Sequence, residues 1–199
     1  KQEIEQILSR RSQDATIVVT GNIGRDVLPM LLLKEKLSRY DYVGHFHTKK
    51  SKEADFWAGE SWRKELIDML VKPADQILAN MEANPKVGIT IGDIPTYFRY
   101  NRIVVAWNEA LISPEMNKLW QRMGATKNID FKNLNTFVMS YGTFVWFKYD
   151  ALKPLFDLNL TVSDVPAEPL PQNSILHAIE RLLVYICLLY TSDAADEGL

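Results

Sequence analysis

Cysteine is almost missing from this chain, and its single copy, Cys187, stands near the C-terminal end. Residues 1–186 therefore hold no disulfide, no thiolate metal site and no cysteine nucleophile. Long apolar runs are missing too, since no stretch reaches the ~18 residues a membrane helix requires. The opening "KQEIEQILSR" is charged and has no apolar core of a signal peptide. It also lacks an initiating Met, so the chain is expected to begin inside a longer protein. An excess of one charge is missing, because the net charge is -2 with 24% charged residues. That balance marks neither a disordered chain nor a nucleic-acid binder. Internal repeats, low-complexity tracts and Gly/Ser linkers are absent as well. What is present is 199 residues at 47% hydrophobic, enough for one domain with a sizeable core. That domain is expected to span residues 1–186. From Cys187 to Glu197 the chain reads "CLLYTSDAADE", which resembles the translation of a transposase adapter used in sequencing libraries. Residues 187–199 are accordingly expected to be a non-native tail.

Apolar period and punctuation predict alternating elements. The β-branched run "ATIVVT", Ala15 to Thr20, reads as a buried strand ending at Gly21. A helix follows over Val27 to Leu37, with Asp26 at its start and Pro29 allowed in its first turn. Asp41 to Phe46 reads as a strand, "GESWRKELIDML" as a helix, and Pro73 restarts a helix through "ADQILANME". "KVGITIG", Lys86 to Gly92, reads as a third strand. Ser113-Pro114 opens an amphipathic helix closed by Gly124. Within "TFVMSYGTFVWFKY", Gly142 marks a bend or bulge. Asp150 can cap "ALKPLF", and a last helix starts near Asn173 or Ser174. Strands alternating with helices predict an α/β fold with a partly parallel sheet flanked by helices.

Four places offer chemistry. "GNIGRD", Gly21 to Asp26, has glycines that let backbone approach a ligand, and Arg25 can fork onto phosphate oxygens. An ordinary tight turn with Asp26 as N-cap reads equally well. In "YDYVGHFHTKKS" the strand core of Tyr42, Val43 and Phe46 gives way to His47, Thr48, Lys49 and Lys50. Alternation puts His45, His47 and Lys49 on one face. Positive groups there suit a diphosphate, although a solvated basic loop is the commoner fate of "KKSK". In the third place Gly142 removes a side chain and Trp146 could lie flat against a sugar ring, unless it is simply core. The fourth is "SDVPAEPLPQNSILHAIERL", where Asp164 and Glu168 sit on a Pro-rich loop. His177, Glu180 and Arg181 there share adjoining positions of one helix face.

In their order these stretches resemble the rhamnan synthesis protein F family. The resemblance is carried by Asn22-Gly24-Arg25-Asp26, Tyr40-Asp41-Tyr42, His47-Thr48-Lys49-Lys50-Ser51 and Trp62-Arg63. It continues through Gly142-Thr143-Phe144-Trp146-Phe147 and His177-Ala178-Glu180-Arg181. It implies a bacterial glycosyltransferase that transfers a sugar, rhamnose as first choice, from a nucleotide sugar such as dTDP-rhamnose. The implied acceptor is a lipid-linked, growing surface or cell-wall polysaccharide at the cytoplasmic face of the plasma membrane, with peripheral membrane association through regions outside this chain. The implied fold is GT-A-like, lacking its first strand and helix.

The roles expected on that basis are definite. Asn22, Gly24, Arg25, Asp26, His47, Thr48, Lys49 and Lys50 handle the donor diphosphate. A carboxylate on the Pro-rich loop, Glu168 before Asp164, takes the acceptor's proton. Gly142, Thr143, Trp146, His177, Glu180 and Arg181 line the acceptor side. No cofactor, metal or nucleic acid is expected: the loop cations replace the metal, and the rival is Mg²⁺ recruited by a carboxylate elsewhere. The alternatives are a non-catalytic glycan-binding or scaffolding domain and, third, a sugar-phosphate transferase.

Overall fold

The computed structural model describes residues 2–10, 15–21, 23–48, 56–100, 105–134 and 138–196. Helix α1 covers Gln2–Arg10. The helix expected over Val27 to Leu37 forms as α2 (Val27–Leu32) and α3 (Lys34–Leu37), interrupted at Leu33. Strand β1 (Tyr42–His45) leads toward α4 (Phe56–Leu66), which loosens into a π-helical turn at Ile67–Val71. Helix α5 (Ala74–Ala83), β2 (Ile89–Ile91) and α6 (Thr96–Tyr100) follow. Then come α7 (Val105–Arg122), β3 (Val145–Lys148), α8 (Lys153–Phe156) and α9 (Ile175–Asp196). Helix α9 runs unbroken across residue 187, and Cys187 is buried within it.

The three strands form one sheet in the order β1-β3-β2. Both pairings are antiparallel, with Val43 opposite Phe147 and Ile89 opposite Phe147. The α/β mixture is as expected, but the parallel component is not. "ATIVVT" is likewise no strand: among the described residues it pairs with nothing, and Val19 is 75% exposed. Its β-branched residues give a strand propensity, which yields a strand only where a neighbour completes the ladder. Nor does a helix open at Ser113-Pro114. Pro114 lies inside α7, and Ser113 is buried with its hydroxyl donating to the Ala110 carbonyl at 3.1 Å. Asp150 does not cap through its side chain but begins a short 3-10 turn at Asp150–Leu152.

Period-two alternation gives β3 two faces. Val145 and Phe147 are fully buried in the main core with Val43, Leu28, Met116 and the α9 residues Ile179, Leu182 and Ile186. Burying each such side chain stabilises the fold by roughly 1.5–3 kcal/mol. On the other face Phe144, Leu66 and Leu70 form a second cluster with Phe46, Trp62 and Trp146. The Trp146 indole N–H donates to the Leu70 carbonyl at 2.8 Å. Gly44, opposite Trp146, makes room for that ring, since a Cβ there would lie 2.9 Å from it. The central strand is thus sandwiched between helices, and its N-terminal end carries the Gly142–Thr143 turn.

Candidate functional site

Two left-handed turns face each other. In the first, Gly24 (φ 78) is followed by Arg25 (φ 52). A Cβ on Gly24 would come within 2.2 Å of Leu28 Cβ, so α2 can begin this close to the turn only with glycine there. In the second, Gly142 (φ 73) is followed by Thr143 (φ 57), which begins the approach to β3. A β-branched residue in this region is an outlier that costs about 1–3 kcal/mol and persists only where its surroundings hold it.

The surroundings do hold it. The Thr143 hydroxyl donates to Asp26 Oδ2 in a very short hydrogen bond. His45 Nδ1 lies 2.8 Å from the Thr143 carbonyl, and His47 Nε2 lies 2.6 Å from the Gly142 carbonyl. His47 Nε2 also sits 3.5 Å from Asp26 Oδ2. From the far side, the Gly142 N–H donates to Glu180 Oε1 at 2.8 Å, and the buried Ser140 hydroxyl donates to the Glu180 carbonyl. The Phe144 ring meets His47 edge-on with centroids 4.9 Å apart, closing the apolar side. Chain segments far apart in sequence therefore converge on one strained turn.

The start of α9 borders this knot. Ser174 caps the helix, accepting the His177 N–H at 3.5 Å, while its hydroxyl lies 2.8 Å from His177 Nδ1. Burial pushes the His177 imidazole below its ordinary value, and the nearby Arg181 and Arg25 charges push the same way against Glu180. Arg181 is 7% exposed; its Nη1 donates to the His177 carbonyl at 3.1 Å and lies 3.7 Å from Glu180 Oε2. Its Nε is buried with no partner among the described residues.

The Pro-rich loop meets the site at the Pro171 carbonyl, 3.2 Å from His177 Nδ1, and at an exposed ion pair. Arg25 forks onto Glu168, with Nε 3.0 Å from Oε1 and Nη2 3.4 Å from Oε2. Glu168 Oε2 also accepts the Leu170 N–H at 3.0 Å. Such a pair contributes little stability, about 0–1 kcal/mol, so it can open when a ligand competes for Arg25.

Of the residues read from sequence, Gly24, Arg25, Asp26, His47, Gly142, Thr143, Glu180, His177, Arg181 and Glu168 are brought together here. Thr48 is exposed beyond the end of β1. Trp146 belongs to the cluster around Leu70. Asp164 closes a capping box with Thr161, whose N–H and hydroxyl hold its carboxyl below the usual range. Asn22, Lys49 and Lys50 lie outside the described residues. The sequence did not single out Ser140 or Ser174 for the site, and the two-residue spacing placed His45 on one face with His47 without giving it a role of its own. Ser140 gave no signal, since its function is to bond a backbone carbonyl 40 residues away. Among the described residues no group of three or more His, Cys, Asp or Glu could hold a metal ion, and no helix is long and apolar enough to cross a membrane.

Comparison with known proteins gives two kinds of match. The family model described as rhamnan synthesis protein F matches residues 1–191. Two Xanthomonas campestris pv. campestris proteins, both called uncharacterized protein WxcX, one from strain B100 and one from strain ATCC 33913, are each 28% identical over 186 residues. The alignment covers 91% of this chain and 25% of each relative, so the chain spans about a quarter of their length. No solved structure matches.

Proposed function

The chain belongs to the rhamnan synthesis protein F family, and on that premise we propose that it forms part of a glycosyltransferase. Membership ties it to the synthesis of rhamnan-type polysaccharide. The finer reading is a transfer of rhamnose, from a nucleotide sugar such as dTDP-rhamnose, to a growing lipid-linked polysaccharide at the cytoplasmic membrane face.

The observation that carries this reading is the convergence of the Gly24–Asp26 turn, the end of β1, the Gly142–Thr143 turn and the start of α9 on one hydrogen-bonded knot. A turn that is only a connection has no need of four segments holding a strained threonine. Functional sites are where such strain is kept. Arg25 stands at the rim with a planar fork suited to phosphate oxygens, held meanwhile by an exposed carboxylate that a diphosphate could displace. Arg181, His177 and Glu180 would order the acceptor hydroxyls beside it. The GT-A likeness remains part of the proposal. With three antiparallel strands, the donor is assigned to the turns and the loop cations rather than to the ends of parallel strands.

One observation favours the rival, a non-catalytic glycan-binding or scaffolding domain: the site's charges pair with one another, Arg25 with Glu168 and Arg181 with Glu180. A donor screen on the full-length protein separates the two. Transfer of a sugar to a glycan acceptor, or donor hydrolysis in its absence, supports the enzyme. Glycan binding without consumption of any nucleotide sugar supports the rival.

A further inference from the structure

His45 and His47 stand two residues apart at the end of β1, with ring centroids 5.9 Å apart. Each gives one ring nitrogen to a carbonyl of the strained turn, His45 Nδ1 to Thr143 and His47 Nε2 to Gly142. A carbonyl oxygen only accepts, so the bonded nitrogen of each ring carries a proton. In the neutral rings this leaves His45 Nε2 and His47 Nδ1 with lone pairs, each set by the bond its other nitrogen makes. Neither atom is among those sealed in the interior without a partner.

A carboxylate separates the two. Asp26 Oδ2 lies 3.5 Å from His47 Nε2, so an imidazolium formed at His47 has a counter-charge already in place. A base oriented by a carboxylate behind it is a recurrent arrangement for removing a hydroxyl proton. The loop carboxylates are less suited. Glu168 accepts hydrogen bonds on both oxygens, from Arg25 and from the Leu170 N–H. Asp164 is held in its ionised form by Thr161. Donors that stabilise a carboxylate weaken it as a base.

Resting on the transferase reading, we infer that His47, oriented by Asp26 and the Gly142 carbonyl, is the general base that deprotonates the acceptor hydroxyl. In the step, the hydroxyl proton passes to His47 Nδ1 while the acceptor oxygen forms a bond to the donor sugar's anomeric carbon. The bond from that carbon to the diphosphate breaks, and its electron pair leaves with the nucleoside diphosphate. His47, now imidazolium beside Asp26, returns its proton to solvent. Among the described residues, the charged and titratable groups around it are Asp26 from the turn before α2, His45 from the end of β1, and Glu180 from α9 through the Gly142 N–H.

The test measures kcat and KM against pH for the full-length protein, with a nucleotide-sugar donor and a glycan acceptor. His47→Gln should lower kcat by roughly 10²–10⁴-fold, with donor KM little changed, and should abolish the acid limb of the profile. Asp26→Asn should also lower kcat, because the imidazolium formed in the step loses its counter-charge. Long-range ¹⁵N–¹H spectra of the unmodified protein should show His47 with its proton on Nε2, a readout that survives even if His47→Gln fails to fold. A proton on Nδ1 overturns the assignment. So does an acid limb that persists in His47→Gln and disappears in Glu168→Gln, which would make the loop carboxylate the base. If the unmodified protein transfers from no nucleotide sugar, the transferase reading falls and the base role falls with it. If it transfers and His47→Gln is unimpaired, only the base role falls.

Discussion

The Thr143 hydroxyl donates to the Asp26 carboxylate across 117 residues of chain, joining the two left-handed turns of the site. One turn ends just before α2 and the other just before β3, so this bond fixes the helix start against the sheet. It also holds a threonine in a backbone region that threonine disfavours.

Thr143→Val keeps the branched shape and removes the donor. The half-buried Asp26 carboxylate then loses its shortest partner, and losing a hydrogen bond to a charged group costs about 1–3 kcal/mol. Urea unfolding should show that loss with an unchanged slope. A valine variant as stable as the parent would mean that the turn is held by packing instead.

Arg25 is at the rim, and its contact with Glu168 is exposed. Arg25→Ala should therefore leave the melting temperature almost unchanged, while donor affinity weakens by roughly 1–3 kcal/mol, as expected for losing a charge-assisted hydrogen bond. Calorimetric titration with nucleotide sugar reads the difference. Unaltered affinity together with unaltered stability would reduce the turn to a connection.

His177 should make the protein acid-sensitive. Burial, chiefly, pushes its imidazole below the ordinary value, so the folded state binds a proton less readily than the unfolded chain. The stabilisation is fully present above the unfolded value of about 6.5, and it is lost as pH falls from there through the folded value. Unfolding free energy should drop more steeply between about pH 7 and pH 5 in the parent than in His177→Gln. Only this slope is diagnostic, because the variant also alters the contact with Ser174 at every pH. Parallel slopes would assign the acid sensitivity to other groups.

The loop after β1 is expected to neutralise the leaving diphosphate with fixed cations in place of a metal. Transfer should then survive excess chelator and collapse in Lys49→Ala. Activity that vanishes with EDTA and returns with Mg²⁺ would instead assign that charge to a hard cation held by oxygen ligands.

Much of the secondary structure was legible because it is set locally. Asp41 to Phe46 and Lys86 to Gly92 each contain the strand their β-branched and aromatic residues predict. Gly142 adopts the bend its lack of a Cβ permits, and the last helix begins where Ser174 can cap it. Pro114 misled because its missing N–H is a local signal for a helix start, yet the helix is already under way at that point.

The site was legible as a set of residue types and illegible as an arrangement. Arg25, Asp26, His47, Thr143 and Glu180 could each be singled out from their motifs, because cations, carboxylates and glycines at turns are visible in one dimension. Which of them meet is decided by strand pairing: His45 opposite Val145 in the β1–β3 register sets His45, and His47 just beyond the strand, beside the turn that precedes β3. That register is antiparallel, a choice that rests on which neighbour completes each ladder and not on the propensity of either strand. Asp164 and Glu168 show the same division. They read alike in sequence as loop carboxylates, but Asp164 is tied locally to Thr161 in a capping box, whereas only the tertiary structure brings Glu168 to Arg25. Residue chemistry was thus determined by the sequence alone, whereas protonation roles and partners follow from distances that only the folded chain sets.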